Sequence, residues 1–279
     1  MLSVAASSAE SFFLDTSSGY RFCLYFSPKK DKPCLGGIVY LHPFAEEMNK
    51  SRKMAAMQAR RLAVSGYGVL IIDLFGCGDS SGELKDASWS IWKQDVQDAI
   101  NWMRARLKAP ISLWGLRLGA LLALDMVQST ENPVEKIALW QPVLQGTSFL
   151  NQFFRLRLAG DMLTEKNPSS TQPSVRTLLD QGQIVEIAGY EISHALAASI
   201  DALDASGWHF GASDLHWLEC PSENSTALPF ARQKILTGWM EKGTHINIQM
   251  VSGHPFWMSQ ETTVNTDLVD ATTGIFRQP

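Results

Sequence analysis

Strand-like and helix-like segments alternate regularly between residues 36 and 144, and this alternation constrains the fold more than any other feature. The strand-like segments are short, almost continuous apolar runs, such as GGIVYLHPF at 36–44 and KIALWQPVL at 136–144. The helix-like segments repeat apolar residues at spacings of three and four, as in 86–106. This order is typical of βαβ units and predicts an α/β fold, with a mostly parallel central sheet and helices on both faces.

The chain on either side extends this prediction. Two strand-like segments at 9–15 and 20–26 flank the turn-forming residues TSSG and predict a hairpin. The alternation breaks at about 147–212, where helical segments surround a polar stretch, TEKNPSSTQPS, and it resumes afterwards. We therefore expect an α/β core built from residues 1–146 and 213–279, with a helical lid of residues 147–212 inserted over the carboxyl edge of the sheet.

Composition excludes several classes of function. The net charge of −4 offers no basic surface for nucleic acid. The histidines lack metal-ligand spacing, and the sequence predicts neither a metal nor a cofactor. No segment approaches the apolar length of a membrane helix, and the first residues lack the pattern of a signal peptide. Four cysteines with no zinc or redox spacing favour reduced thiols and a cytoplasmic protein. The sequence does not indicate an oligomeric state.

A glycine-rich turn lies within this pattern at Gly115-Leu116-Arg117-Leu118-Gly119. It follows a strand-like segment and opens a helix, and its spacing is that of a nucleophile elbow. The central position of such an elbow normally holds a nucleophile, but here it holds Arg117. An arginine side chain stays protonated and is not a nucleophile, so an acyl-enzyme mechanism is excluded at this position.

Other residues match the remaining positions of a catalytic triad in chain order. His254 comes directly after the last strand-like segment, where a triad histidine would lie. Glu219 follows the preceding strand and is the first candidate for the acid, with Glu223 as the second. The segment DLFGCGDSSGE also has the D-x-x-G-x-G-x-S pattern of a loop in many hydrolases. In its elbow, its chain order and this loop, the sequence resembles the α/β-hydrolase superfamily.

A closer resemblance extends over most of the chain. It is carried by HPFAEEMNKSRKM at 42–54, LWGLRLGALLA at 113–123, LWQPVLQG at 139–146, FLNQFFRLRLA at 149–159 and IAGYEIS at 187–193. In these segments the chain is similar to the type 2 hydrolase-like proteins associated with exosortase A systems. The resemblance implies a bacterial protein linked to exopolysaccharide and protein-sorting loci, in which arginine at the elbow is a family feature. It does not indicate the ligand.

Arg117 allows two interpretations. The strand at 38–42 should lie beside the elbow strand, and the loop after it carries Glu46 and Glu47, because the next helix is predicted to begin at Asn49 or Ser51. In one interpretation, one of these carboxylates neutralises Arg117, because an unpaired buried guanidinium is costly. In the other, the guanidinium and the N-terminus of the elbow helix form an anion site.

The loop after the strand at 38–42 also matches the position of an oxyanion hole. By analogy, the N–H groups of Phe44 and Leu118 would be its donors. We expect Phe44, Leu118, Glu46 and Glu47 to contact any small ligand bound under the lid.

Two functions fit these residues. The first is a degenerate hydrolase with a binding or accessory role. The alternative is an active hydrolase of a small ester or thioester, in which His254 and Glu219 activate water and Arg117 stabilises the developing charge.

Overall fold

The structure is a computed structural model. It describes residues 9–31, 33–129, 134–163, 173–210, 214–221 and 227–277, with the backbone alone for 158–163. None of the helices in these ranges is both long enough and apolar enough to cross a membrane. In the same ranges, no group of three or more His, Cys, Asp or Glu side chains is placed to hold a metal ion.

An eight-stranded sheet forms the centre of the molecule. Its strands are β1 (Ala9–Thr16), β2 (Gly19–Phe26), β3 (Gly36–Leu41), β4 (Tyr67–Ile72), β5 (Ile111–Leu116), β6 (Lys136–Trp140), β9 (Asp214–Glu219) and β10 (Ile246–Met250). The spatial order is β1-β2-β4-β3-β5-β6-β9-β10. Six strands run parallel to one another, namely β4, β3, β5, β6, β9 and β10. The β1–β2 hairpin joins β4 in antiparallel fashion. This is the mostly parallel sheet that the alternation predicts.

Helices cover both faces of this sheet. They are α1 (Glu46–Ser65), α2 (Trp89–Leu107), α3 (Leu118–Ser129), α4 (Gly146–Leu163), α5 (Val175–Asp180), α6 (His194–Asp201), α7 (Phe230–Glu241) and α8 (Thr266–Arg277), with short 3₁₀ turns at Leu84–Asp86 and Ala205–Gly207. Apolar residues of α1 and α8 share one buried cluster, and those of α2, α3 and α7 share the other. Helices on both faces explain why β3, β4, β5 and β6 are buried along their whole length.

The first helix begins earlier than the sequence predicts. Neither Asn49 nor Ser51 is its N-cap, because α1 already starts at Glu46 after Ala45, whose φ of 51° sets a sharp turn. The predicted end is correct, since Gly66 closes the helix in the left-handed conformation with a φ of 107°. Glu46 and Glu47 consequently lie in the first helical turn and not in a loop.

The segment predicted as a lid contains α4, α5 and α6 and also a small antiparallel hairpin. Its strands are β7 (Val185–Ile187) and β8 (Tyr190–Ile192). Phe149 and Phe153 of α4 stand edge-on to Phe44, with ring centroids at 5.8 and 5.0 Å. The segment is therefore joined to the carboxyl edge of the sheet by aromatic contacts. Most of the polar stretch 164–174 lies outside the described residues.

Candidate active site

The turn between β5 and α3 has the geometry of an elbow. Arg117 adopts a φ of 55°, the left-handed region that a side chain seldom occupies. Its N–H donates to Trp140 O at 3.0 Å, and its carbonyl accepts from Val143 N at 3.1 Å. A Cβ at Gly115 would lie 2.5 Å from Gly119 O, and one at Gly119 would lie 2.2 Å from Leu41 O. The two glycines therefore allow the strand, the helix and the neighbouring strand to meet at this point.

The Arg117 side chain is buried, with 8% of the residue exposed. Its Nε donates to Glu47 Oε1 at 3.2 Å, which is the ion pair that the sequence predicts with one of the two glutamates. Nη2 makes a long contact of 3.4 Å to Gln152 Oε1 of α4, and the guanidinium lies 6.0 Å from the centroid of the Phe149 ring. Nη1 has no partner among the described residues. The guanidinium is thus held on one side and keeps unused donors on the other.

Glu47 is poorly solvated for a carboxylate. Burial raises its pKa to about 7, although the Arg117 guanidinium acts in the opposite direction. Its Oε2 is buried and has no hydrogen-bond partner in the described part of the chain, and the same holds for Oε2 of Glu46. The ion pair at the elbow is therefore only partly satisfied.

Glu219 ends β9 and is 3% exposed. Its Oε1 accepts from Gln141 Nε2 at 3.1 Å, while Oε2 accepts from Trp217 Nε1 at 2.8 Å and from Arg232 Nη1. Gln141 is itself fixed, because it has a φ of 43° and its Oε1 accepts from Cys220 N at 2.7 Å. These bonds occupy both carboxylate oxygens of Glu219, and none of them comes from a histidine.

His254 follows β10 by four residues and is exposed. Because β9 and β10 are parallel neighbours, it lies at the same edge of the sheet as Glu219. The structure nevertheless does not bring the two side chains into hydrogen-bonding contact. Glu223, the second candidate for the acid, lies outside the described residues.

The two predicted oxyanion donors lie beside another space. Phe44 and Leu118 are both 3% exposed and line a narrow cavity of about 10 Å³ with Leu74, Trp89 and Leu122. Arg117 does not line that cavity. Leu118 is the first residue of α3, so its N–H has no acceptor within the helix. Phe44 also lines one of the two cavities that include Arg117, whereas Leu118 lines neither of them.

Two larger cavities meet at Arg117. One, of about 120 Å³, also includes Glu46, Glu47, Phe153 and Trp257 in its lining. The other, of about 230 Å³, extends from Arg117 to Arg232 of α7. Arg117, Phe149 and Gln152 border both. The elbow side chain thus lies between two neighbouring cavities under α4.

Sequence reasoning missed Gln141, Gln152 and Arg232. The first two lie in segments that carry the resemblance, LWQPVLQG and FLNQFFRLRLA, and could have been assigned from those segments. Arg232 gives no signal, because PFARQKIL has the appearance of an ordinary helix start. Its role follows only from the packing of α7 against β9.

Comparisons with known proteins agree with this geometry. The family model described as serine aminopeptidase, S33, matches residues 34–187, which is more than half of the chain. None of the curated proteins compared with the chain matches it.

Several solved structures share the fold. A thermostable carboxyl esterase from Bacillus coagulans is 10% identical, with a TM-score of 0.65 and 97% of each chain covered. A Butyrivibrio proteoclasticus protein with bound ferulic acid is 10% identical, with a TM-score of 0.61 and coverage of 95% of this chain and 96% of that one. A putative hydrolase from Agrobacterium vitis is 15% identical, with a TM-score of 0.57 and 97% of each chain covered. These structures share the fold, and because the family model covers more than half of the chain, the chain belongs to the serine aminopeptidase S33 family of the α/β hydrolases.

Proposed function

We propose that this chain is a non-catalytic α/β-hydrolase-like protein that binds a small molecule under its lid. We further propose that it acts in the cytoplasm of bacteria, as an accessory protein of exosortase- and exopolysaccharide-associated systems. The observation that carries the proposal is Arg117 at the elbow position, ion-paired with Glu47.

The chemistry of the elbow supports the absence of catalysis. Hydrolases with an elbow attack the substrate through a hydroxyl or thiol that a histidine deprotonates. Arg117 offers neither group, and it directly precedes Leu118, the first residue of α3. A positive charge there adds to the positive end of the helix dipole, which favours an anion and not a reactive hydroxyl.

The acid position supports the same conclusion. A triad acid must accept a hydrogen bond from the histidine to fix its tautomer. Glu219 is instead bound to Gln141, Trp217 and Arg232. For Glu219 to orient His254 as a water activator, some of these bonds would have to break, which argues against the alternative of an ester or thioester hydrolase that uses this pair.

The biological setting rests on other support. The segments that resemble the exosortase-associated proteins include the elbow with its arginine, the start of α1 that supplies Glu47, and the start of α4 that supplies Phe149 and Gln152. Four of the five segments of the resemblance thus contribute residues to the lining of the two cavities that meet at Arg117. All four cysteines are unpaired, as expected in a reducing compartment.

Covalent labelling tests the proposal. The native protein is incubated with a fluorophosphonate probe and examined by intact-mass spectrometry, and turnover of p-nitrophenyl esters and acyl thioesters is followed in parallel. We expect neither a mass increase nor turnover above that of the variant His254→Ala. A labelled serine in the cavity, or turnover that His254→Ala abolishes, would overturn the proposal.

A further inference from the structure

The cavity between Arg117 and Arg232 has an unusual charge distribution. Both arginines line it, together with the polar side chains of Gln145, Ser148 and Gln152. No Asp or Glu belongs to its described lining. It is therefore a cationic space in a protein whose net charge is −4.

Both guanidiniums have unused donors. Arg117 leaves Nη1 without a partner, and Arg232 bonds only through Nη1 to Glu219, so its Nε and Nη2 remain unpaired among the described residues. Their carboxylate partners do not line this cavity, because Glu47 faces the other space and Glu219 is buried at the end of β9. Each carboxylate thus holds its arginine without occupying the cavity.

The two arginines are close enough to repel each other. Burial lowers the pKa of Arg232, Glu219 raises it, and the charge of Arg117 lowers it further. The first turns of α4 and α7 add Ser148, Ala231 and Arg232 to the lining, so the positive ends of two helix dipoles lie at the same space. An anion between the guanidiniums would relieve this repulsion.

The rest of the lining is apolar. Val143, Leu144 and Ile235 form one wall, and Phe149 leads into the neighbouring aromatic cavity. A bare inorganic ion would leave these surfaces without contacts. The lining therefore matches a molecule that has one anionic group and an apolar portion.

We propose that this cavity binds a small organic anion, with its carboxylate or phosphate group between Arg117 and Arg232 and its apolar portion against Val143, Leu144 and Ile235. The planar guanidinium suits both anions, since each can accept two parallel N–H bonds. The inference rests on the proposed non-catalytic function and specifies the class of ligand for the same site.

Calorimetric titration of the full chain tests the ligand class. The probes are hexanoate, hexyl phosphate, inorganic phosphate, 1-hexanol and hexylammonium. We expect saturable binding of hexanoate or hexyl phosphate, with the stronger of the two identifying the anionic group, and at least about tenfold weaker binding of the remaining three. Equal binding of 1-hexanol, or no binding of either hexyl anion, would overturn the inference.

Variants localise the site. Arg232→Gln and Arg117→Gln should each weaken binding by about tenfold or more, whereas Arg61→Gln, in an exposed pair with Asp270, should leave it unchanged. Arg232→Lys keeps the charge and should retain part of the affinity if the cavity is intact. Unchanged affinity in both glutamine variants would place the anion elsewhere.

Hydrolysis of ethyl hexanoate by the same samples reports separately on the proposed function. Turnover would refute that function, whereas absent anion binding without turnover would refute only this inference.

Discussion

Two buried arginines of this protein, Arg21 and Arg117, are satisfied to very different degrees. Arg21 is fully buried and donates from Nε to Asp95 Oδ1 at 2.7 Å and from Nη1 to Tyr20 O at 3.0 Å, while Nη2 binds Ser18 Oγ. The other Asp95 oxygen accepts from Phe75 N at 2.8 Å. Arg117 instead has a single bond to Glu47 at 3.2 Å, a long contact to Gln152, and an unused Nη1.

The difference distinguishes a structural arginine from one placed to bind. Around Arg21, nearly every donor and acceptor is satisfied within the fold, and Arg21 lines neither of the two cavities that meet at Arg117. Around Arg117, unused donors and two cavities remain. A buried guanidinium without full compensation costs stability, and such a cost is typical of a site that awaits a ligand.

Removal of Arg21 should give the largest loss of stability. Arg21→Gln leaves Asp95 buried without its cation, and we expect the free energy of unfolding to fall by about 3–5 kcal/mol. Urea unfolding followed by circular dichroism measures it. A loss below about 1 kcal/mol, the value of an exposed pair, would remove the contrast between the two arginines.

The pH dependence of stability should reveal Glu47. Its pKa is raised from 4.5 to about 7 in the folded protein, so the folded state binds the proton more tightly than the unfolded state does. Stability should therefore decline as pH rises from 4.5 to 7, by about 2–3 kcal/mol relative to Glu47→Gln.

Urea unfolding of both proteins across this range isolates the effect, because Asp95, whose pKa is raised to about 6, contributes equally to both. Parallel stability curves would contradict the assigned burial of Glu47.

Arg117→Gln should cost less than Arg21→Gln. Arg117 makes one bond to Glu47, at 3.2 Å, and one long contact to Gln152, so fewer interactions are lost than at Arg21, and we expect a loss of about 1–2 kcal/mol in the free energy of unfolding. The same urea titration measures it at neutral pH. A loss equal to that of Arg21→Gln would mean that Arg117 is chiefly structural.

The smallest effect should come from an exposed pair. Arg61 and Asp270 are 52% and 65% exposed, and Arg61→Gln should change the free energy of unfolding by no more than about 0.5 kcal/mol. This variant sets the baseline in the same assay. A larger change would show that arginine-to-glutamine substitution has a general cost in this protein.

The sequence predicts the central sheet and one of the two arginine–glutamate pairs of the site. The Arg117–Glu47 pair was accessible because β3 and β5 are neighbours, with Leu41 opposite Gly115, and the loop after one strand must approach the turn after the other. The pairing of Arg232 with Glu219 could not be predicted from the sequence, because it depends on how α7 packs on β9. The early start of α1 was hidden as well, since nothing in Ala45 signals its positive φ.

The central claim is that two arginine–glutamate pairs have replaced a catalytic triad, and Arg117→Ser tests it most directly. The folded variant is treated with a fluorophosphonate probe, and the labelled residue is identified by peptide mass spectrometry, with the double variant Arg117→Ser/His254→Ala as control. Because Glu219 is held by Gln141, Trp217 and Arg232 and does not contact His254, we predict that the introduced serine stays unlabelled. Labelling that requires His254 would show that the triad geometry is intact, and would contradict this account.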